Sequence, residues 1–482
     1  MIRVAAFVGS SILRVLGLAI LASGLVGILY SETSIATSLI ILSSIYTILG
    51  YLGAKYLRPD KQLTITQGFA AVGLSWLSLT LAGIVPYLIS LPEMSFTDAL
   101  FETASGFSTT GSSVIVNPSE LPKAIIFWRS ITQWVGGMGI IILTISVMPL
   151  LGSGGLNLAK AESPGPNPDR LTPLFKDTAV ILWGVYLVFT LAQTLLLFFS
   201  GLDMFSALNH SFTTLSTGGF STFDTSVSSF SNSTKLILCL FMFIAGTSFT
   251  LHYKSRRNLK EYLYSSEFKF FTFIVFFAAS IFYIFLNTSG KDSITSIIES
   301  LFTSLAIITT TGYSSSNFEL WPGGLKILIL GLMFVGGMSG STGGGIKVVR
   351  VVALLKTVRN ELKKLIFPKA IFKVRMSKSA MTEQSLESVQ TFFILYITVF
   401  GIGSVLLGLT SYFGGISLSI ETILSSVASA LNNIGPALDQ AGPFDTYFFF
   451  DNYSKILLAF IMLVGRLELF PIAILFNAKT WK

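Results

Sequence analysis

The sequence predicts an all-α polytopic membrane protein: an N-terminal helix pair, then four repeats of span, short helix, loop and span around a single axis. Three observations carry that prediction. First, the 482 residues are 52% hydrophobic and only 12% charged, whereas a soluble domain carries about 25% charged residues. Second, apolar stretches of bilayer-crossing length recur near 4–30, 34–54, 68–92, 124–151, 178–200, 236–253, 270–287, 325–346, 391–413 and 456–478. Third, four semi-polar segments between these stretches repeat one pattern that ends in glycine. So little polar surface cannot coat a water-exposed body, which excludes a soluble enzyme, a disordered chain and a nucleic-acid binder.

The one cysteine, Cys239, sits in an apolar run, and the only histidines are His210 and His252. A His/Cys metal centre or a cysteine nucleophile has almost nothing to be built from. The elements divide into a helix pair over 1–66 and repeats over 67–160, 161–262, 263–378 and 379–482. In the first span, Arg3 and Arg14 precede the apolar run Val15–Tyr30, the pattern of a cleaved signal or of a retained anchor. The second span, Ser34–Ala54, follows at once without a clean small-x-small site, which favours the anchor. Pro164, Pro166 and Pro168 mark the join between the first and second repeats.

Sidedness follows from the bases of the short loops. Lys55, Arg58 and Lys61 follow span two; Lys160, Arg170 and Lys176 follow span four. Lys254, Arg256, Arg257, Lys260 and Lys269 follow span six, and ten bases from Lys347 to Lys378 follow span eight. The alternate loops carry acids instead, among them Glu32, Asp98, Glu102, Asp203, Asp224, Glu299, Glu319, Asp439 and Asp445. The termini and the basic loops are therefore expected on the cytoplasmic side.

The acidic-side segments read DALFETASGFSTTGSS, FSALNHSFTTLSTGGFST, SIIESLFTSLAIITTTGYSS and SIETILSSVASALNNIGPAL. Each is a helical stretch too short to span, closed by hydroxylic or amide residues and a glycine. Aligned on Gly111, Gly219, Gly312 and Gly435, position −2 holds Thr109, Thr217, Thr310 and Asn433, and position −1 holds Thr110, Gly218, Thr311 and Ile434. The span that follows opens with Lys123, Lys235, Lys326 or Lys455 and carries a flexible spot at Gly136-Gly137, Ala245-Gly246, Gly336-Gly337 or Gly465-Arg466. Four degenerate copies in one chain are a repeat architecture.

Non-helical backbone at membrane depth is tolerated only where it lines a water-filled cavity or is buried in protein. Four half-helices ending in hydroxyl-rich, glycine-containing strands can present rings of carbonyls and hydroxyls that replace a cation's water shell. Glycine supplies the backbone angles such a strand demands, and the half-helix dipoles put partial negative charge at the axis.

The stretches SGFSTTGSS, LSTGGFST, TTTGYS, NNIGPA, GGMSGSTGGGIKVVR and MLVGRLELFP resemble, in order, the membrane subunits of Trk-type bacterial potassium uptake systems, in the Trk/Ktr/HKT superfamily. The likeness covers essentially the whole chain, and the helix pair at 1–66 favours Trk over Ktr. It implies potassium uptake with K+ as the transported ion and no organic cofactor. It also implies an inner-membrane location, contact with membrane lipid, a homodimer, and a TrkA-type cytosolic nucleotide-binding subunit as regulatory partner. The implied selectivity filter is Thr109, Thr110, Gly111, Thr217, Gly218, Gly219, Thr310, Thr311, Gly312, Asn433, Ile434 and Gly435. Some sodium-selective plant relatives carry serine where this chain keeps Gly111. Of the potassium-channel TVGYG pattern, the four filters retain only the central glycine throughout.

The run GGMSGSTGGGIK, Gly336 to Lys347, interrupts an apolar span. A phosphate loop needs adjacent Gly-Lys followed by Ser or Thr, and here Ile346 intervenes and Val348 follows. Close helix packing through small residues is one alternative. An interrupted helix is the favoured one, with Gly336, Gly340, Ser341, Thr342, Gly343, Gly344 and Gly345 entering the path below the filter. The family resemblance implies the same, an intramembrane gating loop.

Arg466 falls near mid-membrane, where a cation costs about 2.5–3.5 kcal/mol. It shares a column with Gly137, Gly246 and Gly337 and is expected to act with the loop as a barrier to cations. Glu468 is expected to pair with a buried base, Arg129 being the candidate. His210 reads as a hydrogen-bonded structural residue rather than a proton carrier, and His252 as interfacial. Asp98, Glu102, Glu299 and Glu421 serve either to concentrate cations at the outer mouth or to hold the structure. A secondary transporter with inverted repeats also breaks its helices, but these four repeats share one orientation. An embedded enzyme would need a cluster of buried ionisable groups, and the chain offers little beyond Arg466 and Glu468 at that depth.

Overall fold

The computed structural model describes residues 2–57, 65–139, 175–377 and 379–476. The second half of the predicted fourth span, the bases Arg58, Lys61, Lys160, Arg170 and Lys378, and the proline-marked join lie outside these residues.

Among the described residues six helices are long and apolar enough to cross a bilayer. They are α1 (Ile2–Leu29), α2 (Thr33–Tyr56), α3 (Ile65–Gly83) with its continuation α4 (Val85–Ser90), α7 (Phe175–Phe199), α12 (Ser266–Thr288) and α16 (Glu383–Phe413). Pro86 in the first turn of α4 lacks an N–H and breaks the α3–α4 helix. The paired helices α1 and α2 are tied by Ser43, whose hydroxyl donates to the Gly17 carbonyl at 2.7 Å. Just after α1, the Glu32 carboxylate accepts the Lys123 and Ala124 N–H groups at 2.6 and 3.0 Å. It thereby caps α6 (Lys123–Gly137), whose first N–H groups have no partner within the helix.

Four short helices lie between the spans: α5 (Phe96–Phe107), α8 (Met204–Leu215), α13 (Ser293–Ile308) and α17 (Ile420–Asn432). Each begins with a side-chain cap, from Ser95, Asp203, Asp292 and Ser419 respectively. A serine or aspartate oxygen satisfies an N–H that the helix cannot. With 12, 12, 16 and 13 residues, none reaches the roughly 20 needed to span.

Among the described residues the second spans of repeats two, three and four are broken; the interruption at the glycine run is the one expected, and the others fall at or just after the flexible spots. The helix pair α9 (Asn232–Gly246) and α10 (Phe249–Ser255) bends by 97°. Helices α14 (Gly323–Met333) and α15 (Val348–Ile366) are separated by the glycine run. Helix α18 (Asn452–Arg466) stops before α19 (Phe470–Leu475), with Glu468 and Leu469 at φ 54° and 69°. The breaks sit where these inner helices press against the ends of the short helices. A Cβ at Gly136 would run into the Phe107 carbonyl, one at Gly465 into the Leu431 carbonyl, and one at Gly246 would lie 2.6 Å from a Thr309 methyl. Outside the helices, a two-residue ladder pairs Arg375–Met376 with Ser379–Ala380.

Candidate ion pathway

Just beyond each short helix comes a non-glycine residue with left-handed backbone: Thr109, Thr217, Thr310 and Asn433, at φ 57°, 55°, 59° and 57°. Two residues later the glycine follows, Gly111, Gly219, Gly312 and Gly435 at 87°, 75°, 74° and 111°. Such angles cost a residue with a side chain roughly 1–2 kcal/mol, so four matching pairs of outliers mark four copies of one device. A Cβ at Gly111 would strike the Gly218 carbonyl, at Gly219 the Thr311 carbonyl, at Gly312 the Ile434 carbonyl, and at Gly435 it would approach the Thr110 carbonyl at 2.9 Å. The contacts run from repeat one to two, three, four and back to one. The four strands therefore close a ring in chain order, and glycine is required by space as well as by angle.

The predicted filter residues are all brought together in this ring. Thr109, Thr217, Thr310 and Asn433 are buried, and the Thr109 hydroxyl and the Asn433 Oδ1 have no hydrogen-bond partner among the described residues. In repeats one and three a hydroxyl pair braces the strand, Ser108–Thr110 at 2.6 Å and Thr309–Thr311 at 2.7 Å. The second strand is braced by Gln133 of α6, which donates to the Gly218 carbonyl at 2.7 Å and accepts the Phe220 N–H at 3.1 Å. Sequence reasoning passed over Gln133; its signal is a lone amide in an apolar run.

Behind the ring lies a buried ion pair, Arg129 to Glu102 at 2.8 Å, with side chains 2% and 0% exposed. Glu102 also accepts the Ser113 hydroxyl and the Val114 N–H, while Arg129 donates to the Ser221 carbonyl at 3.3 Å and covers the Phe220 ring. The pair thus ties the segments that follow Gly111 and Gly219. Arg129 is not the partner of Glu468, as the sequence suggested; Glu468 pairs instead with Arg350 of α15.

The other carboxylates weighed for the outer mouth are likewise paired. Asp98 accepts Lys455 at 2.7 Å, Glu421 lies 3.3 Å from Lys326, and Glu299 accepts Lys291 at 2.6 Å. Asp98–Lys455 and Glu421–Lys326 each join a short helix to the inner helix of the preceding repeat. At the corresponding junction in the second repeat, Lys123 lies 5.2 Å above the Phe205 ring. The geometry favours the structural alternative for these acids. His210 is buried, with its nitrogens at 2.8 Å from the Ser206 carbonyl and 3.3 Å from the Ser221 hydroxyl. His252 is half-buried and bonded to Tyr262 and the Ile244 carbonyl.

Below the ring the glycine run forms a loop, with Gly336, Gly340 and Gly345 at φ 76°, 75° and 76°. Thr342, Gly343 and Gly344 rest against the ends of the short helices. The Thr342 hydroxyl donates to the Leu215 carbonyl at 2.8 Å, and the Gly344 N–H to the Thr310 hydroxyl at 2.7 Å. A Cβ at Gly343 would lie 2.8 Å from the Thr309 carbonyl, and one at Gly344 would strike the Asn432 carbonyl. Ser341 closes a turn onto the Met338 carbonyl, and the Gly340 carbonyl accepts the Phe249 N–H at 2.9 Å. The loop therefore lies beneath the ends of the second, third and fourth short helices.

Arg466 completes the arrangement. Its guanidinium donates to the Thr342 carbonyl at 2.7 Å and to the Gly136 and Gly137 carbonyls at 2.9 and 3.3 Å. One side chain from repeat four thus binds the loop of repeat three to the inner helix of repeat one, while staying only half-buried. The loop's far end is held by Lys347, which donates to the Gly343 carbonyl, and by Arg350, stacked 3.9 Å from the Phe392 ring and paired with Glu468.

The family described as "TrkH: Cation transport protein" matches residues 34–482. A "Trk system potassium uptake protein TrkH" of Escherichia coli strain K12 is 35% identical over 433 residues, 88% of each chain. The protein of that name from Vibrio parahaemolyticus is 36% identical over 98% of this chain and 99% of its own. The crystal structure of the potassium transporter TrkH from Vibrio parahaemolyticus superposes with a TM-score of 0.88 at 33% identity, covering 100% of both chains. With its ring of four glycine-bearing strands and its match across nearly all of the sequence, this multi-pass membrane protein belongs to the TrkH family of cation transporters.

Proposed function

We propose that the chain is the potassium-conducting membrane subunit of a Trk-type uptake system in a bacterial inner membrane, with both termini cytoplasmic. The observation that carries this reading is the closed cycle of glycine-to-carbonyl approaches among the four filter strands. The curated relatives named for potassium uptake support the choice of ion.

A potassium ion entering the ring exchanges its water shell for carbonyl and hydroxyl oxygens at the positions from Thr109, Thr217, Thr310 and Asn433 to Gly111, Gly219, Gly312 and Gly435. The four short helices aim their C-terminal ends at it, each equivalent to roughly half a negative charge. No formal charge is needed in the ring. Below it, the loop from Gly336 to Gly345 and the cation Arg466 act as the barrier. Opening requires the loop to leave its contacts with Leu215, Thr310 and Arg466.

The basic segment around α15 is placed to dock a TrkA-type nucleotide-binding subunit or to meet anionic lipid, and the membrane subunit works as a homodimer. The test is cation flux into liposomes holding the purified chain, with the cytosolic subunit and nucleotide supplied. K+ and Rb+ entry that saturates and reverses at the ion's equilibrium potential is expected. Flux that requires a proton or sodium gradient would overturn the channel-like reading.

A further inference from the structure

The four filter strands are not equivalent at the glycine. The Gly435 carbonyl accepts three hydroxyls: Ser112 at 2.8 Å, Ser429 at 2.8 Å and Tyr447 at 3.0 Å. A carbonyl oxygen has two lone pairs, so three donors leave it no capacity for a cation. Among the described residues no side-chain or backbone donor reaches the carbonyls of Gly111, Gly219 or Gly312. The Gly218 carbonyl, one level further in, accepts a single donor from Gln133 and keeps a lone pair.

All three hydroxyls are built in. Tyr447 is 2% exposed, Ser112 2% and Ser429 0%. Tyr447 is fixed by its own N–H, which donates to the Ser113 carbonyl at 2.8 Å, and by rings of Phe101 and Phe450 at 5.5 and 5.6 Å. Ser429 both accepts the Gly435 N–H at 3.1 Å and donates to its carbonyl. The Gly435 φ of 111° stands apart from the 74–87° of the other three glycines, as expected of a peptide turned toward donors behind the strand.

Building on the proposed filter, we infer that Tyr447, with Ser112, is a specificity-determining positioning residue. It holds the Gly435 carbonyl out of the ion's shell, so a cation at that level meets three glycine carbonyls and completes its shell with water. Water adapts to a small ion more readily than a fixed carbonyl does. Freeing the fourth carbonyl therefore favours the larger ion. The proposal predicts an unusual sign: removing hydrogen bonds from behind the filter should sharpen discrimination.

The test compares the full-length chain with its Tyr447→Phe/Ser112→Ala variant, which leaves Ser429 as the only donor. K+ and Na+ binding to purified protein is measured by calorimetry, which needs no open gate. Preference for K+ over Na+ should rise roughly three- to tenfold, the span of about one hydrogen bond's worth of interaction. A merely structural role for Tyr447 predicts the opposite, a loosened strand and a preference falling toward one. A fall, or an unchanged ratio in a variant with wild-type melting temperature, overturns the inference. If the wild type binds neither cation, the filter reading itself fails, and this inference fails with it.

Discussion

Replacing Arg466 with alanine should raise cation flux roughly ten- to a hundredfold. A cation passing about 6 Å from the guanidinium feels near 3 kcal/mol of repulsion at an effective dielectric of about 20. Each 1.4 kcal/mol is about a factor of ten in rate. The substitution also releases the Thr342, Gly136 and Gly137 carbonyls, so the loop loses its bond to repeat one. Arg466→Lys separates charge from geometry: it keeps the repulsion but cannot fork across three carbonyls. Liposome flux of the three proteins, normalised to folded protein, is the measurement. Unchanged or lower flux in well-folded Arg466→Ala would remove the arginine from the barrier.

Gly312→Ala should abolish selective potassium entry. The residue has φ 74°, and its Cβ would meet the Ile434 carbonyl of the next strand. Backbone strain contributes roughly 1–2 kcal/mol, and the collision displaces one of the oxygens proposed to bind the ion. K+ uptake at low external concentration should fall more than about tenfold, with K+ preference over Na+ lost in what remains. Gly401→Ala is the control, because a Cβ there meets nothing within 4 Å and the residue lies inside α16. Retained selectivity in Gly312→Ala would show that the third strand does not bind the ion.

Much of the architecture was legible in the sequence, because the repeat is written in residues with no substitute. The columns at −2 and at the glycine fall on residues with left-handed backbone in all four copies. Hydropathy was less informative about the inner helices. Leu467-Glu468-Leu469 reads as a continuation of a span, yet it holds two left-handed residues and a break. Nothing in local propensity announces it; the break falls just after Gly465, where the inner helix meets the end of the fourth short helix.

The ion-pair partners were the least legible feature. Glu102–Arg129, Arg350–Glu468 and Asp98–Lys455 each depend on which elements become neighbours in the ring. The sequence shows that buried charges need partners, and only the three-dimensional order says which. Gln133 and Tyr447 were missed for the same reason: one brings an amide, the other a hydroxyl, to a strand it does not belong to. Arg466 stands out in the sequence because a mid-span cation interrupts a column of glycines.

The central claim is that four glycine-bearing strands form one cation site on a common axis, and crystals grown in Rb+ test it most directly. Anomalous density on that axis, among the strands of Gly111, Gly219, Gly312 and Gly435, is the expected result. Rb+ bound only elsewhere, with an empty axis at saturating concentration, would contradict it.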